Sequence, residues 1–168
     1  IGFNMTYNEN EITKLTSANA EDYQGVPTGF ISGGVGNRVK IHSTGHPRDA
    51  FFVYEQVYDE NGDPVEGVYV DRNNDGEITS DDKYRYKKAA PTVYGGFSTK
   101  VNYKNWDFRL SGRMNIGNYV YDNIESNNNI LNQTYFSVGY LTNVTEDYKN
   151  TNFNQARYMS DYYVRDAS

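Results

Sequence analysis

Oxygen-bearing side chains recur at alternate positions in the stretch DRNNDGEITSDD, residues 71–82. Asp71, Asn73 and Asp75 fall at positions 1, 3 and 5 of a loop of the EF-hand calcium type. Gly76 stands at position 6, where the backbone must bend sharply. Glu77 offers its carbonyl at position 7, Ile78 is the apolar anchor at position 8, and Asp82 closes position 12. Calcium is a hard cation that gathers about six to eight oxygens, so this spacing predicts a structural Ca2+ site on Asp71, Asn73, Asp75, Glu77 and Asp82. The usual twelfth residue is Glu, which reaches the ion with both oxygens, and Asp82 is shorter. Strand-like Val68–Val70 precedes the loop, and Tyr84–Lys88 is too short and too basic to read as a helix. The competing reading is a solvated acidic turn that holds its shape without metal.

Other chemistry finds less support. Paired acids on one polar loop are poor candidates for glycoside hydrolysis, which needs two carboxyls fixed across a cleft. His42 and His46 are four apart, but in a Gly- and Pro-containing segment with no HExxH, so zinc is not expected. Gly34-x-Gly36 lacks the strand–helix context and the Lys-Ser/Thr of a phosphate loop. No Ser has a nucleophile-elbow context, and there is no Cys. The expectation is a protein that is not an enzyme.

The element that must position everything else is Val93 to Ile116, VYGGFSTKVNYKNWDFRLSGRMNI. Phe97, Thr99, Val101 and Tyr103 fall on one face of a first strand, and Trp106, Phe108, Leu110, Met114 and Ile116 on one face of a second. Ser98, Lys100 and Asn102, then Asp107, Arg109, Ser111, Arg113 and Asn115, take the other faces. A two-residue turn at Lys104-Asn105 sets Tyr103 opposite Trp106, Val101 opposite Phe108 and Thr99 opposite Leu110, so the apolar faces coincide. The same register sets Lys100 opposite Arg109, which costs energy unless water or an acid intervenes. Strands of this length match a tilted bilayer crossing of roughly 9–11 residues, with Tyr103 and Trp106 as interfacial aromatics. A long hairpin resting one face on a soluble core has the same pattern.

Along the chain, Gly2–Tyr7 alternates as a strand and Asn8–Glu11 reads as a turn. Ile12–Leu15 could begin a return strand, 17–29 is loop-like, and Gly-rich 31–46 holds strand fragments and turns. Phe51–Tyr58 is a strand by β propensity, Asn61-Gly62 centres a turn, and Val65–Val70 resumes as a short strand. Gly117–Ile124 could extend the second long strand. Asn123–Asn132 reads as a surface loop, Tyr135–Tyr140 as a strand, 142–155 as loop and Tyr162–Arg165 as a strand. No capped amphipathic helix is expected. The opening already looks like the middle of a strand, so the chain is expected to be a piece of a longer protein.

Composition narrows the class. The 168 residues suffice for one domain with a real core, and the mean hydropathy of -0.83 leaves no apolar run for a spanning helix. A β-barrel needs only alternate apolar residues and is not excluded. The net charge of -6 disfavours nucleic acid as a partner. The 17 Tyr suit interfaces and carbohydrate-lined surfaces.

Taken in order, Gly45-His46-Pro47, FFVYEQVYDENGDPVEGVYVDRNNDGEITSDD, Ala90–Phe97 and Val101–Phe108 resemble the SusC/RagA family, TonB-linked outer-membrane transporters of Bacteroidetes. The resemblance is strongest from Gly45 to Tyr121. It implies an all-β fold of antiparallel long-stranded hairpins, part of a 22-stranded outer-membrane β-barrel. Residues 1–168 would be a partial TonB-dependent receptor barrel domain with a calcium-loop-like insertion at 71–82. The family's barrel holds a plug, is capped by a SusD-like lipoprotein, sits in outer-membrane lipid, and imports glycans or peptides with energy passed through TonB. Nothing here matches the plug, the TonB box or the terminal strand. A few strands alone cannot close, and an isolated fragment would form an open sheet or an edge-paired dimer. The second class of reading is a soluble calcium-stabilised β module that binds carbohydrate through its Tyr residues.

Overall fold

A computed structural model describes residues 1–15, 23–33, 36–130 and 144–168. It is built from antiparallel strands with a few short helical turns. The long hairpin is β8 (Val93–Tyr103) and β9 (Trp106–Ile116), and β1 (Gly2–Tyr7) adds to its edge in the order β1-β8-β9. The register is the one the alternation predicts: Tyr103 faces Trp106, Val101 faces Phe108, Thr99 faces Leu110 and Lys100 faces Arg109. Lys104 takes a positive φ of 50° at the turn.

Tyr7, Val93 and Ile116 lie side by side, so the three strands end on one rim, opposite the Lys104-Asn105 turn. From that rim the chain leaves twice, over residues 8–92 and again after Ile116. Both excursions build a cap. Its largest sheet has the order β2 (Val26–Phe30), β3 (Arg38–His42), β4 (Ala50–Val53), β7 (Tyr84–Lys88). A hairpin of β5 (Gln56–Tyr58) and β6 (Pro64–Tyr69) and a pair of β10 (Tyr119–Tyr121) and β11 (Val164–Asp166) complete it. Two short helices, α1 (Asn123–Asn128) and α2 (Tyr148–Thr151), belong to the second excursion.

The core lies in the cap. Val39, Phe51, Val53 and Val164 form one buried cluster, and Phe153 and Tyr163 are also fully enclosed. Strands β3 and β4 come from the first excursion and β11 from the second, so neither fills this core alone. A parallel bridge between Tyr54 and Ser160 joins them, with Tyr54 N–H donating to the Met159 carbonyl at 2.7 Å.

Several elements depart from the expected ones. Phe51–Tyr58 is two strands, because after Val53 the chain turns from one sheet into another. Val26–Phe30 is a strand that begins within the expected loop of 17–29, drawn out by pairing with β3. Ile12–Leu15 is no strand; Ile12 is held only by exchanging backbone hydrogen bonds with Gly45 and His46. Strand β9 stops at Ile116 because Gly117 takes φ 75°, and 119–121 pairs with β11 instead. Residues 123–128 are helical, with Asp122 accepting a bond from Glu125 N–H as a cap, where loop was expected. A single turn of helix at 148–151 likewise falls in an expected loop, and Tyr162-Tyr163 forms a 3-10 turn before the strand at 164. The expected strand at 135–140 lies outside the described residues.

Candidate functional site

The wall sheet has two unlike sides. Residues directly opposite in the ladder share a side, so Phe3 and Met5 join Phe97, Val101, Tyr103, Trp106, Phe108, Leu110, Met114 and Ile116 on one of them. Asn4 and Thr6 join Ser98, Lys100, Asn102, Asp107, Arg109, Ser111 and Arg113 on the other. The apolar side is uncovered: Val101 is 52% exposed, Phe108 57%, Leu110 47% and Trp106 80%. Water disfavours so much contiguous apolar surface, and a face of this extent marks contact with lipid or protein. Eleven residues at about 3.4 Å each, tilted by about 45°, span roughly 26 Å, close to the apolar band of an outer-membrane barrel. No helix of the described residues is long and apolar enough to cross a membrane.

Glycines thin this wall where rings must fit. Phe97 lies directly across from Gly112, and a Cβ on Gly112 would stand 2.4 Å from the Phe97 ring. On the polar side the Asn102 amide donates to the Asp107 carboxylate, tying the hairpin close to its turn.

The acidic loop joins β6 to β7 and is shaped by its own side chains. Asp71 accepts from Asn74 N–H at 2.7 Å and from Gly76 N–H at 2.8 Å. Asn73 accepts from Asp75 N–H and donates to the Asp75 carboxylate, which also accepts from Glu77 N–H at 2.8 Å. Gly76 has φ 85°, the bend the spacing required. Asp82 is fully buried. It accepts from Arg72 N–H and Thr79 N–H, both at 2.8 Å, and more weakly from Asn73 N–H. These backbone donors, Thr79 foremost, hold its carboxyl below the usual carboxylate range despite burial. The Arg72 guanidinium anchors the loop to Glu55 and stacks 4.6 Å from the Tyr84 ring centre.

Of the five predicted ligands, Asp71 and Asp82 each turn their carboxyl oxygens to backbone N–H groups of the loop. Asp75 is engaged with Asn73 and Glu77 instead. Among the described residues no three His, Asp or Glu side chains converge as a metal cluster. Asn73 and the Glu77 carbonyl would be oxygen donors of another kind. Ile78 does not anchor the loop, since it remains 45% exposed. The chemistry of the donor set, all oxygen, is of the kind a hard cation takes.

Sequence reasoning missed the polar seam of the cap. Gln56 and Ser160 are buried and bonded, and Asp161 accepts from Gln56 N–H at 3.0 Å and from the Tyr84 hydroxyl at 2.7 Å. Glu66 receives Asn154 and Gln155 N–H at 3.0 and 2.9 Å and pairs with Arg157. The partners are 77 or more residues apart in number, and no local pattern announces them.

Strand length, shared rim and a two-sided wall define this chain as an antiparallel all-β segment of barrel-wall type, with a cap folded from its rim connections. No family model matches the sequence. The TonB-dependent receptor SusC of Bacteroides thetaiotaomicron is 42% identical over 170 residues, an alignment that covers all of this chain and 17% of that protein. The chain is a SusC-like segment, and that likeness supports a place in the outer membrane.

Proposed function

We propose that residues 1–168 are a partial barrel domain of a TonB-dependent outer-membrane transporter, with the 71–82 loop inserted in its outer cap. The observation that carries this reading is the uncovered apolar side of β1, β8 and β9 set back to back with a polar side. In the parent, a 22-stranded barrel with an internal plug, the apolar side meets lipid. The polar side, with Lys100, Arg109 and Arg113, lines a hydrated lumen. The role is passage of a nutrient, a glycan or a peptide, with energy passed through TonB, and not catalysis. The cap stands on the rim away from the tight turn, where a SusD-like lipoprotein would cover it. Calcium would be held by Asp71, Asn73, Asp75, Glu77 and Asp82. It would neutralise the loop's acids and fix its position on the cap. A soluble calcium-stabilised module binding carbohydrate through Tyr residues is the second reading. The stacked Tyr54–Tyr69 pair, 4.9 Å between centroids, suits it, but the bare wall does not.

The experiment is fractionation of cells that express the complete receptor, followed by uptake of labelled glycan with and without TonB. Recovery in the outer membrane with TonB-dependent uptake is expected. Recovery in the soluble fraction would give the module reading its place.

A further inference from the structure

A cleft of about 410 Å³ opens where the cap meets the wall. Its floor holds Thr92 and Gly117, and Thr92 N–H donates to the Ile116 carbonyl at 2.9 Å, just past the last rung of the β8–β9 ladder. Its sides carry His46, Arg85, Tyr86, Lys87, Lys88 and Tyr119, and no carboxylate. Strand β7 is an edge strand, and four consecutive residues of it, Arg85 to Lys88, line the opening. This concentration of positive charge sits in a chain of net charge -6. None of the ion pairs among the described residues includes Arg85, Lys87 or Lys88.

Two of the three cations are held in place by uncharged groups. The Lys87 ammonium lies 5.3 Å from the Tyr86 ring centre and 5.2 Å from that of Tyr119. Arg85 Nε donates to the Ser43 hydroxyl at 2.6 Å and its terminal nitrogen to the Gln24 carbonyl at 2.7 Å, which leaves three of its five N–H donors. His46 feels both its burial and the Arg85 charge, which push its pKa down. Glu11, which acts on His46, and Asp166, which feels Lys87, do not line the cleft.

We propose that this cleft binds a phosphate-bearing ligand. A phosphate carries about -1.5 to -2 and three acceptor oxygens, which suits several donors lining one cleft, whereas a carboxylate brings a single charge. Like charges on neighbouring residues of one cleft repel one another, and a divalent anion removes that repulsion. The phosphate has two sources, a lipid headgroup at the membrane rim or a soluble phosphorylated solute. Only the lipid source rests on the barrel reading.

The test titrates inorganic phosphate, with acetate as control, into the complete receptor in detergent, wild type against Lys87→Gln/Lys88→Gln. Saturable phosphate binding that weakens at least about tenfold in the double variant is expected, with recovery in Lys87→Arg/Lys88→Arg. Equal affinity of wild type and double variant, or equal response to acetate, overturns the proposal. Reconstitution into phosphatidylcholine vesicles with and without phosphatidic acid identifies the source. Loss of soluble phosphate binding only with phosphatidic acid present assigns the lipid, and unchanged binding assigns the solute. A receptor that fails to enter the membrane fraction refutes the barrel reading and leaves the detergent titration readable.

Discussion

The Ser160 hydroxyl donates to the Gln56 side-chain carbonyl at 2.9 Å, across 104 residues of chain, with both groups buried. The Gln56 amide nitrogen turns the other way and donates to the Val65 carbonyl at 2.8 Å and the Val57 carbonyl at 3.0 Å. One side chain thus ties the β5–β6 hairpin to the returning segment ahead of β11. Gln56→Leu keeps the volume and removes every bond. It takes the acceptor from the buried Ser160 hydroxyl and the donor from the Val57, Val65 and Val68 carbonyls, at about 1–3 kcal/mol for each group left without a partner. Faster proteolysis of the cap in the folded receptor checks it, and a rate equal to wild type would mean that the seam is not closed as described.

The wall predicts an asymmetry between neighbours. Leu110→Arg puts a charge on the apolar side and is expected to cost about 2–4 kcal/mol if it lies near the bilayer midplane. Ser111→Arg, one residue on, points to the polar side and is expected to cost far less. Outer-membrane yield of the two variants reads the difference. Equal yields would place both side chains in water.

Gly112 and Phe97 form a matched pair. Gly112→Ala drives a Cβ into the ring and is expected to cost about 1–3 kcal/mol by overpacking. Phe97→Ala leaves the glycine without its covering ring. In the double variant the clash has gone, so the two losses fall short of additive. Strict additivity in denaturant melts would argue that the ring lies elsewhere.

Asp82 makes the acid limb of stability steep. Its folded pKa is lowered below the ordinary value of 3.8 by the backbone donors of Thr79, Arg72 and Asn73. Stability from this group is therefore fully present above about pH 3.8 and is lost as pH falls through the lower, folded value. Asp161 works against it: burial raises its pKa, so its ionisation weakens the fold as pH rises through that value. Asp82→Asn is expected to flatten the loss of Tm below pH 4, and Asp161→Asn to raise stability near neutral pH. An Asp82→Asn acid limb that overlays wild type contradicts the capping geometry.

The same loop is expected to respond to metal. Excess calcium should raise the Tm of the receptor by a few degrees, by binding only the folded loop, and Asp71→Ala should abolish the rise. A midpoint unmoved by calcium or by chelator leaves the loop shaped by its own hydrogen bonds alone.

The wall was legible in the sequence because a strand alternates its side chains with a period of two. Val101, Phe108 and Leu110 could share a side with Tyr103 and Trp106 in only one register, and a two-residue turn left no slack in it. The turn at 71–77 was legible for a like reason, since its bonds reach only a few residues, whereas Asp82 reaches back to Arg72 and Asn73. What only the tertiary structure decided is where these local pieces are held. Phe51–Tyr58 reads as one strand, yet Tyr54 bridges Ser160 and the strand divides between two sheets. Gly117 could have continued the wall, but pairing of Tyr119–Tyr121 with Val164–Asp166 turns the chain into the cap. Gln56, Glu66 and Asp161 look like ordinary surface residues until distant backbone arrives to bond them. Periodicity records which neighbours a strand prefers, whereas a contact between distant residues depends on packing of the whole chain, and nothing in the local order of residues encodes it.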